Sequence, residues 1–138
     1  MKRLSCTHKA VALIAGFLLV LIAEAIRQTQ LEPWIETISP SGKYRLENVK
    51  VGGPLFIASA KGYLRVVNIN DPKEVYRSPL YDWESVDMGN REYEDGVGIR
   101  WLTFHKEKKD FDIAMPDWQE SWQNFFISNT PYTVFPNG

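Results

Sequence analysis

Hydrophobic and polar positions divide the chain into two regimes. Residues 10–23 (AVALIAGFLLVLIA) carry no charge and no strongly polar side chain. Lys2, Arg3 and Lys9 precede this run, and Glu24 and Arg27 close it. A basic start, an apolar middle and a polar end predict a helical export segment. Beyond residue 37 the pattern becomes an alternation of period two, which predicts strands.

Tyr44 and Leu46 share one strand face, and Arg45 and Glu47 take the other. The phase slips at Asn48, where a bulge or strand end is expected. Residues 62–69 (GYLRVVNI) form the clearest strand, and Asn70, Asp71, Pro72 and Lys73 predict a turn after it. Residues 75–78 are the expected return strand of that hairpin. Residues 81–88 alternate again, and residues 89–96 (GNREYEDG) read as a polar loop. Residues 98–104 (GIRWLTF) and 111–115 (FDIAM) predict a second hairpin, joined by the charged HKEKKD. Residues 55–58 (LFIA) suggest a short buried piece.

Near the C-terminus the period changes. Trp118, Trp122, Phe125 and Phe126 fall at i, i+4, i+7 and i+8, which predicts a short helix over residues 117–126. Asp117 and Glu120 suit its first turn. The stripe is expected to dock the helix on a sheet, with an exposed partner face as the alternative. The fold expected is mainly β. An N-terminal transmembrane helix leads into a compact antiparallel β domain of about five to seven strands with one short C-terminal helix. Residues 1–27 form the anchor or signal segment, 28–37 (QTQLEPWIET) a tether, and 38–138 the exported domain.

Two forms of export segment are consistent with the pattern. The uncharged run spans 14 residues, about 21 Å of helix at ~1.5 Å per residue, short of a ~30 Å hydrocarbon layer. Counted over residues 10–26 the run reaches 17 residues, long enough for an uncleaved anchor in a bacterial inner membrane. The alternative is cleavage after Ala25, where Ala23-Glu24-Ala25 has the small-x-small form, leaving a periplasmic domain. In both, Lys2, Arg3 and Lys9 keep the N-terminus cytoplasmic and send the remainder across. Ala12 and Gly16 form a small-xxx-small pair in the run, a weak helix-packing signal.

Charge narrows the partners. From residue 28 onward there are 12 Lys plus Arg against 16 Asp plus Glu, a net charge of −4. That balance argues against nucleic acid and against anionic lipid as the main ligand. Cys6, the only cysteine, precedes the apolar run, so the exported part holds no disulfide.

Candidate chemistry is sparse. The sequence carries no G-x-S-x-G, no H-E-x-x-H and no glycine-rich phosphate loop. No catalytic residue, cofactor or metal is expected from it. His105, beside the charged connection, is expected to be solvated. Asp82, Glu84, Asp87, Glu92, Glu94 and Asp95 form an acidic region without the regular spacing of a calcium loop. Within it Asp82, Glu84, Glu92 and Glu94 are the candidate partner-binding surface. Arg65, Arg77 and Arg100 lie on predicted strands, where ordinary surface placement or a grip on a carboxylate is expected.

Residues 39–42 (SPSG) have the form of a tight turn, with Pro40 and Gly42 at its second and fourth positions. The same signal opens propeller blades, but a blade needs ~40–45 residues and several copies, and the signal occurs once here. Taken with GYLRVVN, VYRSPL and VGIRW in that order, the SPSGKYRLE stretch resembles a group of small exported bacterial proteins of uncharacterised function. In that group a Ser-Pro-x-Gly-Lys-Tyr motif follows a membrane segment. The resemblance covers roughly residues 36–104. It implies a membrane-anchored or exported domain acting by protein binding, of immunity or inhibitor type, and supplies no catalytic residue. A small periplasmic enzyme and a structural accessory of an inner-membrane complex are the alternatives.

Overall fold

A computed structural model of the chain describes residues 5–53, 56 and 60–135. The apolar run lies within helix α1, Cys6–Thr29, whose first turn is capped by the Ser5 side chain. Among the described residues α1 alone is long and apolar enough to cross a membrane. Residues 5–20 are exposed all round. The last turns are not. Leu21 is half-buried, and Ala25 and Gln28 are buried, a face at i, i+4 and i+7 turned toward the rest of the protein.

Among the described residues ten strands make two five-stranded sheets. The first contains β1 (Ile35–Ile38), β2 (Tyr44–Lys50), β3 (Lys61–Asn68) and β4 (Val75–Arg77) in that order, with β5 (Tyr81–Asp82) also on β3. The second contains β6 (Arg91–Glu92), β7 (Gly96–Ile99), β8 (Leu102–His105), β9 (Asp110–Ile113) and β10 (Tyr132–Val134), ordered β10-β9-β8-β7-β6. All pairs are antiparallel except β10 with β9, which is parallel. Helix α2 is Asn124–Ile127.

The first sheet is covered on both faces. Leu46, Leu64, Val66 and Tyr81 meet Val97, Ile99, Leu102, Phe104, Phe111 and Ile113 of the second sheet in the larger core. Val49, Val51, Tyr63, Leu80, Phe56 and Ile127 form a smaller core, with Leu31 packed against it. Two-sided burial explains the phase slip at Asn48. No bulge occurs there, because β2 pairs with β3 without interruption from Tyr44↔Asn68 to Lys50↔Gly62. Asn48 is buried and its amide oxygen accepts a hydrogen bond from Tyr81 Oη at 2.7 Å. A strand wet on one face would not have tolerated Asn48 and Val49 buried side by side.

The SPSG turn is the β1–β2 hairpin connection. Gly42 N donates to Ser39 O at 2.8 Å, and Gly42 sits at φ 75°, a conformation open to glycine. Other expectations are corrected. Residues 98–104 are not one strand but the end of β7, a two-residue turn at Arg100 and Trp101, and β8. Trp101 takes φ 74° there. Its ring packs at the margin of the larger core, the Arg100 guanidinium lies 4.6 Å from its centre, and its carbonyl accepts from Ala114 N. Residues 81–88 give only β5 and a single 3₁₀ turn, Trp83–Ser85, capped by Asp82. The polar loop at 89–96 contains β6.

The C-terminal helix is also shorter than the aromatic spacing predicts. Asp117 has φ 58°, which breaks a helix at its start. Trp118 turns inward instead, donating its indole N–H to Leu80 O at 2.9 Å and packing edge-on against Tyr132. The stretch expected as a tether is partly ordered structure: Gln28 is buried and β1 pairs with β2. The expected piece at 55–58 lies outside the described residues apart from buried Phe56.

Candidate functional site at the helix junction

A helix ends with unpaired carbonyls and a partial negative charge. At the end of α1 these groups are taken up by side chains of β3. Tyr63 donates its hydroxyl to Gln28 O at 2.7 Å in a buried bond. Arg65 donates Nη1 to Thr29 O at 3.0 Å and Nη2 to Leu31 O at 2.9 Å. Its Nε also binds Glu47, which is 3 % exposed. Glu47 in turn accepts from Arg45 Nε at 2.7 Å. Tyr63 and Arg65 are two apart on one strand, so both point to the same face.

From the helix side, Gln28 meets the backbone of Gly52. Its Oε1 accepts from Gly52 N at 3.1 Å and its Nε2 donates to Gly52 O and, at 2.7 Å, to Glu24. Glu24 also holds Arg27 through two hydrogen bonds at 2.7 and 2.9 Å. Gly53 lies against this pair at φ 100°, and a Cβ there would fall 2.5 Å from Arg27 and 2.6 Å from Glu24.

Arg77 lies directly opposite Arg65 in the β3–β4 pair and performs the matching task for α2. Its Nε donates to Ile127 O, the last residue of α2, at 2.8 Å. Burial lowers the Arg77 pKa from the ordinary arginine value, and neighbouring Arg65 adds to the shift. Burial raises the Tyr63 pKa, with both arginines opposing it. Two arginines that the sequence offers as surface groups are thus built into the seats of two helices. Arg100 is exposed on the β7–β8 turn, stacked on Trp101.

The acidic residues fall into two kinds. Asp82, Glu84 and Glu94 are exposed. Glu92 is an internal link, with its side chain 8 % exposed. Its carboxylate accepts from Ser41 N and Ser41 Oγ, both at 2.7 Å, and from Lys106 Nζ at 3.0 Å. Burial alone would raise its pKa, but the Ser41 and Lys106 hydrogen bonds outweigh it and bring the value down to about 2. The SPSG turn of the first sheet is thereby tied to β6 of the second. Asp82 borders a cleft of about 320 Å³ that Lys61, Tyr81 and Asp117 also line.

His105 is not free in solvent. It sits on β8, half-buried, with Nε2 2.7 Å from Asp112 Oδ2 on β9. The partner lies seven residues away, across a hairpin, so local sequence did not reveal it. An imidazole held by a carboxylate has the makings of a general base. Among the described residues no cluster of His, Cys, Asp and Glu could hold a metal ion.

Of the aromatic stripe, Trp118 is packed inward while Trp122 and Phe125 are exposed. Nothing local in the sequence signals the bond between Tyr63 and Gln28, because neither a polar residue after an apolar run nor a strand tyrosine points to such a partner. Comparison of the chain with protein-family models, curated proteins and solved structures finds no match.

Proposed function

We infer that the chain is a single-pass membrane protein whose β domain works by binding a protein partner, without catalysis, at the outer face of a bacterial inner membrane. One observation carries the anchor in this reading: the last turns of α1 are seated in the β domain along Leu21, Ala25 and Gln28, with Glu24 holding the Gln28 side chain. Gln28, Thr29 and Leu31 follow the small-x-small site and would remain after cleavage, but half-buried Leu21 and buried Ala25 belong to the same seated face and lie on the removed side. Cleavage after Ala25 would discard Glu24, which holds both Arg27 and Gln28. An uncleaved α1 would instead hold the domain at fixed height and orientation, which raises the local concentration of a capture surface.

The orientation rests on Lys2, Arg3 and Lys9, which favour a cytoplasmic N-terminus. The capture surface is the exposed set Asp82, Glu84 and Glu94. A net-negative domain attracts a basic partner and speeds encounter. The task is of immunity or inhibitor type, in keeping with the resemblance of residues 36–104.

The His105–Asp112 pair favours a second reading, a small periplasmic enzyme. Complementation separates the two. In a strain lacking the gene, Asp82, Glu84 and Glu94 are each changed to Lys, with Glu92 left intact because it joins the sheets. The binding reading expects this variant to fold and fail, less severely at high salt, and His105→Ala to complement fully. Loss of function in His105→Ala with normal function in the charge-reversed protein would replace binding with catalysis.

A further inference from the structure

Trp122 and Phe125 stand out on the surface of the β domain, and what they do rests on the reading of α1 as an uncleaved anchor. Phe125 is 87 % exposed and Trp122 67 % exposed. Both rings are propped by half-buried Phe126, which meets Trp122 edge-on at 6.1 Å and Phe125 edge-on at 5.4 Å. Beneath them Ile127 is fully buried in the smaller core. The rings are thus held outward by packing.

Their position is fixed by α2. This helix lies against α1. Because residues 5–20 of α1 are exposed, that contact falls on the turns from Leu21 to Thr29. The uncharged run of α1 ends at Ala23. It covers only about 21 Å of a hydrocarbon layer ~30 Å thick. To span, α1 must draw its turn around Leu21 to Arg27 into the membrane boundary. Whatever packs on that turn then lies at the level of the lipid headgroups. Aromatic rings are favoured at that depth, where an apolar face can rest in the boundary.

We propose that Trp122 and Phe125 insert into the bilayer beside α1 and form a second membrane contact of the β domain. The two contacts, α1 and this pair of rings, fix the tilt of the domain as well as its height. The occupant is the lipid of the same membrane, since α2, which carries Phe125, packs on α1 where the uncharged run ends.

The test uses the full chain in phosphatidylcholine vesicles. In a Cys6→Ser background, single Leu18→Cys, Trp122→Cys, Phe125→Cys and Glu94→Cys variants carry a nitroxide label. Collision with oxygen is compared with collision with a water-soluble nickel chelate. All four side chains are exposed, so the labels leave the core intact. The proposal expects residues 122 and 125 to share the oxygen-dominated response of residue 18, and residue 94 to show the nickel-dominated response of water. Lipid exposure at 18 with water exposure at 122 and 125 overturns the proposal and leaves the anchor reading standing. Water exposure at 18 overturns both. Protection from both reagents at 122 and 125, or line broadening between labels, identifies a second copy or another protein as the occupant and also overturns it.

Discussion

Tyr63 on β3 reaches the carbonyl of Gln28, 35 residues earlier, over 2.7 Å. The bond closes α1 onto β3 where water has no access. Tyr63→Phe keeps the ring and removes the donor, so a buried carbonyl loses its partner. The expected cost is about 1–3 kcal/mol in chemical denaturation of the full chain. An unchanged midpoint would mean that the carbonyl finds another donor.

Arg65 should matter more. Arg65→Met leaves Glu47 buried with Arg45 as its remaining cationic partner and frees two carbonyls at the end of α1. Breaking a buried ion pair from one side costs about 3–5 kcal/mol; the retained Arg45 should hold the loss to the lower end. Replacing Glu47 by Gln in the same chain should recover part of it. Non-recovery would assign the loss to the carbonyl bonds alone, which a stability measurement on the three variants resolves.

Acid should loosen the tie between the sheets. The folded Glu92 pKa of about 2 lies below its ordinary value, so the unfolded chain binds more protons in between. Stability from this group is therefore complete above the ordinary glutamate range. It falls as the pH drops from about 5 toward the folded value of about 2. Glu92→Gln should flatten the stability–pH curve across that window and lower stability at neutral pH. Urea denaturation at a series of pH values reads both effects.

The cellular arrangement can be read at each end of the chain. A reporter that works only outside the cytoplasm, fused after Gly138, should be active. N-terminal sequencing should find Met1 or Lys2. A start at Ile26 would identify a cleaved signal, and a reporter active only inside would reverse the orientation.

Legibility in the sequence followed the range of the interactions. The apolar run bounded by Lys9 and Glu24 announced α1, and the Asn70–Lys73 turn announced the β3–β4 hairpin, because both patterns are local. The turn at Arg100 and Trp101 was hidden, since a tryptophan at positive φ is favoured only by its packing and by the Arg100 stack. The aromatic stripe misled because Trp118 and Trp122 keep helical spacing while Trp118 is drawn inward by Leu80. His105 looked solvated because its partner, Asp112, arrives across a hairpin. Asp82, Glu84 and Glu94 read correctly as surface groups, whereas nothing in the run from Glu92 to Asp95 told which carboxylate Ser41 would claim. The seat of α1 was the least legible part, built from contacts between residues 24–36 positions apart.

That seat is the central claim, and a distance distribution tests it most directly. Spin labels at Leu18→Cys on α1 and Asp71→Cys on the exposed β3–β4 turn, in a Cys6→Ser background, report the relation of helix to domain in lipid nanodiscs. One narrow distance is expected, because Gln28, Tyr63 and Arg65 join the two into a single body. A broad distribution, as from a domain swinging on a flexible linker, would contradict it.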